Sequence, residues 1–274
     1  MSEKSVDLTF FEIEGTSDKI ALLALAREAS ANAFNAEMMQ QITECLWNIE
    51  SSQNIRALVV YGKGKHFSAG ADLGWMKNSA KLTYDENIKD SHHLTDMFEK
   101  LFNLPIPTIA AVSGAAFGGA VGLAACCDVV LAEESAKFCL SEVRLGLLPA
   151  VIMPYLAKRI HPGQLKRLSL GARLFKGSEA LTYGLADRTF KSEELNSVLI
   201  EELNALLVGG PKSQKLLKKL HRDLHNRSYA QGDYTAVAIA TARSGEEGQA
   251  GLNAFFAKES SPWTCTISEN TKLI

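Results

Sequence analysis

Short apolar runs alternate with amphipathic stretches over most of this 274-residue chain. The runs are about four to eight residues long and rich in Val, Ile, Leu and Ala, which is typical of buried strands. They are IALLALA (20–26), RALVVYG (56–62), TIAAVSG (108–114), DVVLAEE (128–134), KFCL (137–140) and, more weakly, LADRTF (185–190). Strands separated by helices predict an α/β fold with a mainly parallel sheet.

Helical periodicity lies between and after these runs. One predicted helix has an apolar side made of Phe34, Met38, Ile42, Cys45, Leu46 and Ile49, and another runs from about Tyr84 to Phe102. After about residue 192 the pattern becomes helical over 193–207, 214–225 and about 233–258, with VGGPKS (208–213) as a break. We therefore expect a core of residues 1–192 and a helical C-terminal region of residues 193–274, packed on the core or on a neighbouring subunit.

The composition excludes several classes of protein. A net charge of -2 and an isoelectric point near 6.3 argue against a nucleic-acid binder, whose surface is usually basic. No apolar stretch reaches the roughly 18 uncharged residues of a membrane helix. The N-terminal sequence MSEKSVDLTF has acidic residues and no apolar run, unlike a signal peptide. We expect neither a nucleic-acid partner nor a membrane partner.

The five cysteines, at positions 45, 126, 127, 139 and 265, form no C-x-x-C pair. An odd number without a secretory signal favours reduced thiols in a cytoplasmic protein. Their apolar neighbours favour buried packing over catalysis. His221 and His225 lie one helical turn apart, but the glutamate of a zinc-protease helix is missing between them, so we predict no metal site.

Parts of the sequence are close to three known functional-site motifs but do not match them. YGKGKH (61–66) lacks the Ser or Thr and the glycine spacing of a phosphate loop, and the glycines at 114, 118, 119 and 122 do not fit G-x-G-x-x-G. HFSAG (66–70) has His66 where the nucleophile turn of serine hydrolases needs glycine, which leaves Ser68 a weak candidate nucleophile.

Two segments share one design, in which an apolar strand runs into small residues and then into a helix. They are ALVVYGKGKHFSAGADLGWM (57–76) and IAAVSGAAFGGAVGLAACCD (109–128). The start of a helix carries unpaired N–H groups and the positive end of a dipole, so it favours developing negative charge. Two such N–H groups from separate turns can hold one oxyanion. The alternative is that the small residues only permit tight packing of helix on strand.

Three motifs in order resemble the enoyl-CoA hydratase/isomerase, or crotonase, superfamily: HFSAGADLGWM (66–76), GAAFGGAVGLAACCD (114–128) and KFCLSEVRLGLLPA (137–150). The resemblance covers about residues 20–258. It implies a crotonase-like spiral of ββα units, with a helical C-terminal region that builds homotrimers, commonly paired into hexamers. It also implies an acyl-CoA thioester substrate, in which coenzyme A is part of the substrate, with no separate cofactor and no metal.

The resemblance implies roles for individual residues. The backbone amides of Ala71 and Gly119 correspond to the two donors that hold a thioester enolate. The carbonyl of Ala69 corresponds to the group that meets the adenine, and Arg27 lies in the matching CoA-binding loop. Asp72 belongs to the implied substrate-binding set.

Phe255 and Lys258 match C-terminal positions that reach CoA, in some members the CoA of a neighbouring subunit. The family often continues with a basic residue after this lysine, whereas this chain has Glu259. That departure weakens the implied contact.

One catalytic position departs from the family pattern. Typical hydratases of the family have two glutamates, and the position of the first is Gly122 here, while the second is present as Glu142. One carboxyl can both take a proton from water and return one to carbon. Glu142 is therefore the predicted catalytic residue. If residues 142–144 are extended, Arg144 shares a face with Glu142 and either holds a distal substrate carboxylate or is solvated.

The motifs look most like the bacterial branch that acts on 3-methylglutaconyl-CoA or carboxygeranoyl-type thioesters, in leucine or acyclic terpene breakdown. The glycine-rich run that the family has after Pro149 is altered here to AVIMPY. We expect Ala150, Val151 and Met153 to reshape the acyl pocket beside Trp75 and Met76. For Val151 plain core packing is the favoured interpretation.

The sequence thus predicts an enoyl-CoA hydratase. A Δ3,Δ2-enoyl-CoA isomerase is the alternative within the family, because one base suffices for it. An acyl-CoA-binding homologue without activity is the alternative of another class, and a serine hydrolase using Ser68 is a more distant one.

Overall fold

The computed structural model describes residues 4–225, Val237, Ile239 and residues 241–274. The described strands are β1 Val6–Glu12, β2 Lys19–Leu25, β3 Ile55–Gly62, β4 Thr108–Val112, β5 Ala115–Phe117, β6 Val129–Glu133, β7 Lys137–Cys139, β8 Phe175–Lys176 and β9 Arg188–Phe190. Six of them form a sheet in the order β1-β2-β3-β4-β6-β9, in which β1 is antiparallel and all other pairs are parallel. The remaining three form a second sheet in the order β5-β7-β8.

The described α-helices connect these strands and continue after them. They are α1 Ala36–Ser51, α2 Leu73–Ser79, α3 Tyr84–Phe102, α4 Gly119–Cys126, α5 Met153–Leu156, α6 Pro162–Gly171, α7 Gly177–Tyr183, α8 Leu195–Leu207, α9 Pro211–His225 and α10 Glu246–Ala257. Short 3₁₀ helices cover Glu28–Ser30, Glu142–Leu145 and Ser192–Glu194. The predicted α/β class with a mainly parallel sheet is confirmed.

The large sheet separates two apolar cores. Alternate residues of a strand point to opposite faces. In β3, Leu58 and Val60 accordingly join one core with α1, α3 and α4, while Ala57 and Val59 join the other with α8 and residues 265–273. Covering on both faces explains why β2, β3 and β4 are almost continuously apolar.

Arg56 is the charged exception inside β3. Its side chain is buried and donates to the carbonyls of Leu207, Gly209 and Trp263, and to the carboxylate of Asp18 at 2.8 Å. A buried charge of this kind is tolerated when it is paired and hydrogen-bonded. The contacts join the end of α8 and the C-terminal segment to the sheet.

Three helix starts carry the side-chain caps expected of their residue types. Asn35 accepts the Met38 amide before α1, and Asp72 accepts the amides of Gly74 and Trp75 before α2. Thr83 and Glu86 form a reciprocal capping box before α3. The cap at Asp72 fixes the residue that directly follows Ala71, one of the two predicted amide donors.

The cysteines pack as their apolar neighbours predict. Cys126, Cys127, Cys139 and Cys265 are buried free thiols, and Cys45 is a half-buried one. Burial raises the pKa of the Cys127 thiol to about 12. At neutral pH this thiol is therefore protonated and a poor nucleophile.

Three strands are missing from the sequence prediction, and one predicted helix is only partly described. β1, β5 and β8 were not predicted, and the last predicted strand begins at Arg188 rather than at 185. The predicted helix over about 233–258 lies partly outside the described residues, and so does the side chain of His225. Among the described helices, none combines the length and the apolar composition of a membrane-spanning segment.

Candidate active site

The first small-residue turn lies directly against β5. Ser68 donates its amide to the Ala115 carbonyl at 2.9 Å, and its own carbonyl accepts the Phe117 amide at 3.1 Å. Gly70 has φ +92, and a Cβ at this position would meet the Phe117 carbonyl oxygen at 2.7 Å. Only glycine fits both this conformation and this close approach, so Gly70 allows the first turn to pack on the second.

The second turn is fixed by β7. Gly118 has φ +52, and its amide donates to the Cys139 carbonyl at 2.8 Å. The next residue, Gly119, is the first residue of α4. The chain therefore presents the Gly119 amide at the start of a helix, where the N–H groups have no partner within the helix.

The two predicted donors are held by a shared neighbour, Phe34. Its backbone brackets Ala71, because the Phe34 amide donates to the Gly70 carbonyl at 2.7 Å and the Asp72 amide donates to the Phe34 carbonyl at 2.8 Å. Its ring lies beside Gly119, where a Cβ would be 3.5 Å from the ring. Among the described residues, the amides of Ala71 and Gly119 have no acceptor. Both donors are available to a ligand.

The predicted catalytic carboxyl lies beside the second turn. Glu142 begins the 3₁₀ helix that follows β7, and a Cβ built on Gly118 would be 3.1 Å from its Oε1 atom. Its Oε2 atom is buried and has no hydrogen-bond partner among the described residues. Burial raises the pKa of the Glu142 carboxyl above its ordinary value. A carboxyl in this environment is suited to moving protons.

Gly122 lies three residues after Gly119 in α4, so the two share one face of the helix. A Cβ at Gly122 would lie 2.0 Å from Cγ2 of Ile152 and 2.5 Å from its Cβ. The side chain of Ile152 therefore occupies the space that any side chain at position 122 would enter. The sequence prediction named the neighbours Ala150, Val151 and Met153 but missed Ile152. The altered run after Pro149 was the available signal, but it did not show which of its side chains would face α4.

The predicted environment of Arg144 is wrong in one respect. The prediction assumed extended backbone, in which Glu142 and Arg144 would point to the same face. Residues 142–145 instead form a 3₁₀ helix, so that assumption does not hold. Arg144 is exposed, and its Nη2 atom donates to the Ala172 carbonyl at 2.6 Å. This contact ties the helix that carries Glu142 to the end of α6.

Arg27 and Asp72 form an ion pair next to the first turn. The Nη1 atom of Arg27 is 3.1 Å from Oδ2 of Asp72 and also donates to the Ala33 carbonyl at 2.6 Å. The Trp75 amide above all, and also the Arg27 guanidinium, lower the pKa of the Asp72 carboxyl. The carboxylate is therefore ionised at neutral pH.

The other predicted residues of the first turn flank these groups. Ala69 is exposed, and its amide donates to the Ala31 carbonyl at 2.8 Å. Trp75 and Met76 are half-buried in α2, and the indole of Trp75 donates to Asp90 at 3.3 Å.

Two predicted acyl-pocket residues differ in burial. Ala150 is exposed. Val151 is partly buried against the core that contains α1, α3 and α4, which agrees with the core packing that the sequence favoured for it.

The predicted C-terminal contacts lie on a different element. Phe255 is in the last turn of α10, where 74% of its surface is exposed, and Lys258 ends the helix with φ +59. Phe256, beside it, is 75% exposed. Within one chain, therefore, Phe255 is not packed into the site formed by the two turns.

The serine-hydrolase alternative is not supported by the environment of Ser68. The side chain is fully buried, and its Oγ atom accepts the Gly70 amide at 3.2 Å. A nucleophilic serine must reach its substrate, whereas this hydroxyl stabilises the turn.

Comparisons with known proteins show which family this chain is similar to. The enoyl-CoA hydratase/isomerase family pattern matches residues 15–266. A short-chain-enoyl-CoA hydratase from Clostridium acetobutylicum is 30% identical over 230 residues, which cover 83% of this chain and 85% of that protein.

Solved structures share the fold over nearly the whole chain. An enoyl-CoA hydratase from Shewanella pealeana has a TM-score of 0.87 and 37% identity, and the match covers 93% of this chain and 95% of that one. Pseudomonas aeruginosa AtuE has a TM-score of 0.86 and 32% identity, covering 94% and 99%. The crotonase-like fold that the sequence motifs implied is thereby confirmed.

The contact between Gly122 and Ile152 generates a prediction about stability. Replacing a helical glycine by alanine usually stabilises a protein slightly. We predict that Gly122→Ala instead destabilises the fold by about 1–3 kcal/mol, because the new methyl group overlaps Ile152. Denaturant unfolding of the variant and the wild type measures the difference.

A second substitution tests the cause. In Ile152→Gly the nearest remaining atom to a Cβ at position 122 is the Ile152 Cα at 3.6 Å, an ordinary contact, whereas Ile152→Ala keeps the Cβ at 2.5 Å. Gly122→Ala should therefore cost less in the Ile152→Ala background than in the wild type, because the Cγ2 at 2.0 Å is gone, and least in the Ile152→Gly background. Equal costs in all three backgrounds would contradict the steric account.

Proposed function

The chain belongs to the enoyl-CoA hydratase/isomerase family, and we propose that it adds water across the 2,3 double bond of a 2-enoyl-CoA thioester. The observation that carries the proposal is the joining of two turns with free amides, Ala71 and Gly119, together with the half-buried carboxyl of Glu142 beside the second turn. These are the groups that an enolate-forming reaction needs: donors for an oxyanion, and one group that moves protons.

The thioester carbonyl oxygen accepts hydrogen bonds from the amides of Ala71 and Gly119. As water adds to C3, electrons move from the double bond toward this oxygen, and the enolate carries the negative charge there. Rigid backbone donors favour this charged state over the neutral substrate. The positive end of the α4 dipole acts in the same direction.

Glu142 balances the protons. Its carboxylate takes one proton from the attacking water, while the water oxygen bonds to C3. The resulting carboxyl gives a proton to C2 as the enolate returns to a carbonyl, and the carboxylate is regenerated. The sum is one water added and no change in the enzyme, so no redox cofactor is needed. Coenzyme A enters only as part of the substrate.

The proposal extends to a branched acyl group with a distal carboxylate, of the 3-methylglutaconyl or carboxygeranoyl type, from leucine or isoprenoid breakdown. Two features support it. Gly122 and Ile152 supply no second carboxylate, so a carboxylate on the substrate adds the negative charge that this position lacks. Arg144 is exposed two residues from Glu142, and within the described part of the chain its one side-chain hydrogen bond runs from Nη2 to the Ala172 carbonyl, which leaves guanidinium donors for a carboxylate.

The proposal also includes an assembly of three chains or six, in the cytoplasm. The exposed rings of Phe255 and Phe256 support burial against another chain, since adjacent apolar side chains of this size are often interface residues. In that arrangement Phe255 and Lys258 contact CoA, and the carbonyl of Ala69 contacts its adenine.

Hydration is separated from its alternatives by the products. We predict that a 2-enoyl-CoA thioester incubated with the protein gains the mass of one water, measured by mass spectrometry, and that a thioester with a terminal carboxylate reacts faster than its methyl-ended counterpart. An isomerase would move the double bond of a 3-enoyl thioester without a mass change. Tight thioester binding with no product from any of these substrates would instead indicate a binding protein.

The role of the Gly119 amide is testable with a proline. Proline is tolerated as the first residue of a helix, where it removes the N–H group and places a ring carbon on the nitrogen instead. We predict that Gly119→Pro lowers kcat/KM by about 10²–10³-fold, the usual effect of losing one oxyanion donor. Gly119→Ala is the matched control, because its Cβ would make only ordinary contacts with Phe34 and Phe98. A proline variant as active as the alanine variant would exclude the amide as a donor.

The role of Glu142 predicts both a mutational effect and a pH profile. Glu142→Gln keeps the shape but moves no proton, so hydration should slow by about 10²–10⁴-fold. In the wild type the carboxylate is the active form. Because burial raises the pKa above 4.5, activity should be present at neutral pH and be lost as the pH falls through a value above 4.5. An acid limb below 4.5, or full activity in Glu142→Gln, would falsify this role.

A further inference from the structure

The ion pair of Arg27 and Asp72 lies where the first turn is joined to the preceding segment of the chain. Arg27 donates through one atom, Nη1, to both the Ala33 carbonyl at 2.6 Å and the Asp72 carboxylate at 3.1 Å. Ala33 directly precedes Phe34, and Asp72 directly follows Ala71. One guanidinium therefore holds both sides of the short backbone bridge between Phe34 and Ala71.

Asp72 is held from the other direction as well. Its Oδ1 atom accepts the amides of Gly74 and Trp75 at 2.8 and 3.1 Å, and its own amide donates to Phe34. The two carboxylate oxygens thus have different partners: Oδ1 caps α2, and Oδ2 binds Arg27.

The Ala71 N–H belongs to the preceding peptide, whose carbonyl, that of Gly70, accepts the Phe34 amide at 2.7 Å. Both peptides around Ala71 are therefore tied to Phe34, which Arg27 holds through the adjacent Ala33 carbonyl and through Asp72.

The pair is also poorly exposed. The side chains of Arg27 and Asp72 are 12% and 21% exposed, so water screens the attraction less than it does for a pair on the surface. Both bonds use Nη1, so they fix the position of the guanidinium although its other nitrogens keep their donors.

We infer that Arg27 is a positioning residue, which orients the oxyanion-binding amide of Ala71 through Asp72 and Ala33, rather than a residue that contributes mainly to CoA affinity. The inference rests on the proposed function, because it takes the Ala71 amide as a donor to the thioester. An amide displaced by about 1 Å from its productive position costs on the order of 10²-fold in rate while the substrate still binds. The effect therefore falls on kcat.

Two conservative variants separate the ion pair from the helix cap. Asp72→Asn keeps a capping oxygen, since asparagine is as good a cap as aspartate, but it removes the charge that Arg27 binds. Arg27→Met keeps the length of the side chain and removes the guanidinium. Arg188→Met is the control, because Arg188 forms an exposed surface pair with Glu201 at 2.7 Å, far along the chain from the two turns.

The expected result is a drop in kcat of about 10–100-fold in both Arg27→Met and Asp72→Asn, with KM changed less than about threefold. The double variant should be no worse than either single one, because the two residues act as a unit. Arg27→Lys should recover part of the rate, and Arg188→Met should match the wild type. A rise in KM of tenfold or more in Arg27→Met, with kcat and Asp72→Asn unaffected, would overturn the inference in favour of a CoA contact.

A measurement without turnover keeps the inference separate from the proposed function. If the wild type hydrates no enoyl thioester, the proposed function fails. Crystal structures of the unliganded wild type and the two variants then decide about Arg27. The inference requires the Ala71 nitrogen to move relative to the Gly119 nitrogen in both variants. Unchanged positions would overturn it, whatever the reaction.

Discussion

The candidate site depends on the backbone joint between two distant segments of the chain. Ser68 exchanges hydrogen bonds with Ala115 and Phe117, and the missing side chain of Gly70 lets the two turns touch. This joint fixes the first turn against the start of α4, so that two free amides are preorganised before any ligand arrives. Donors that need no reorganisation contribute most when charge develops in the reaction. The strands and the two cores serve to hold these turns still.

The same packing explains what the site lacks. Ile152 lies over Gly122, so the face of α4 that carries the Gly119 amide continues as an apolar surface rather than as a second acid. Glu142 supplies a carboxyl beside Gly118 in the second turn, and burial raises the pKa of that carboxyl above its ordinary value.

A strand can be predicted from the sequence when its own residues form a recognisable apolar run. The apolar runs of β2, β3, β4 and β6 are visible because both faces of those strands are buried. β1 escapes prediction because it is an edge strand with several exposed residues, β5 because it lies inside a run of small residues, and β8 because it has only two residues.

The features of the candidate site also differ in whether the sequence predicts them. The turns and Glu142 lie in contiguous motifs, which the sequence shows. The Ile152 contact, the Arg27–Asp72 pair and the bond from Arg144 to Ala172 join residues far apart in the chain, and no local pattern encodes such contacts. A crystal structure with a bound acyl-CoA thioester is the most direct test of the account. It should place the thioester oxygen within hydrogen-bond distance of both the Ala71 and the Gly119 nitrogen, and a thioester bound away from either amide would contradict it.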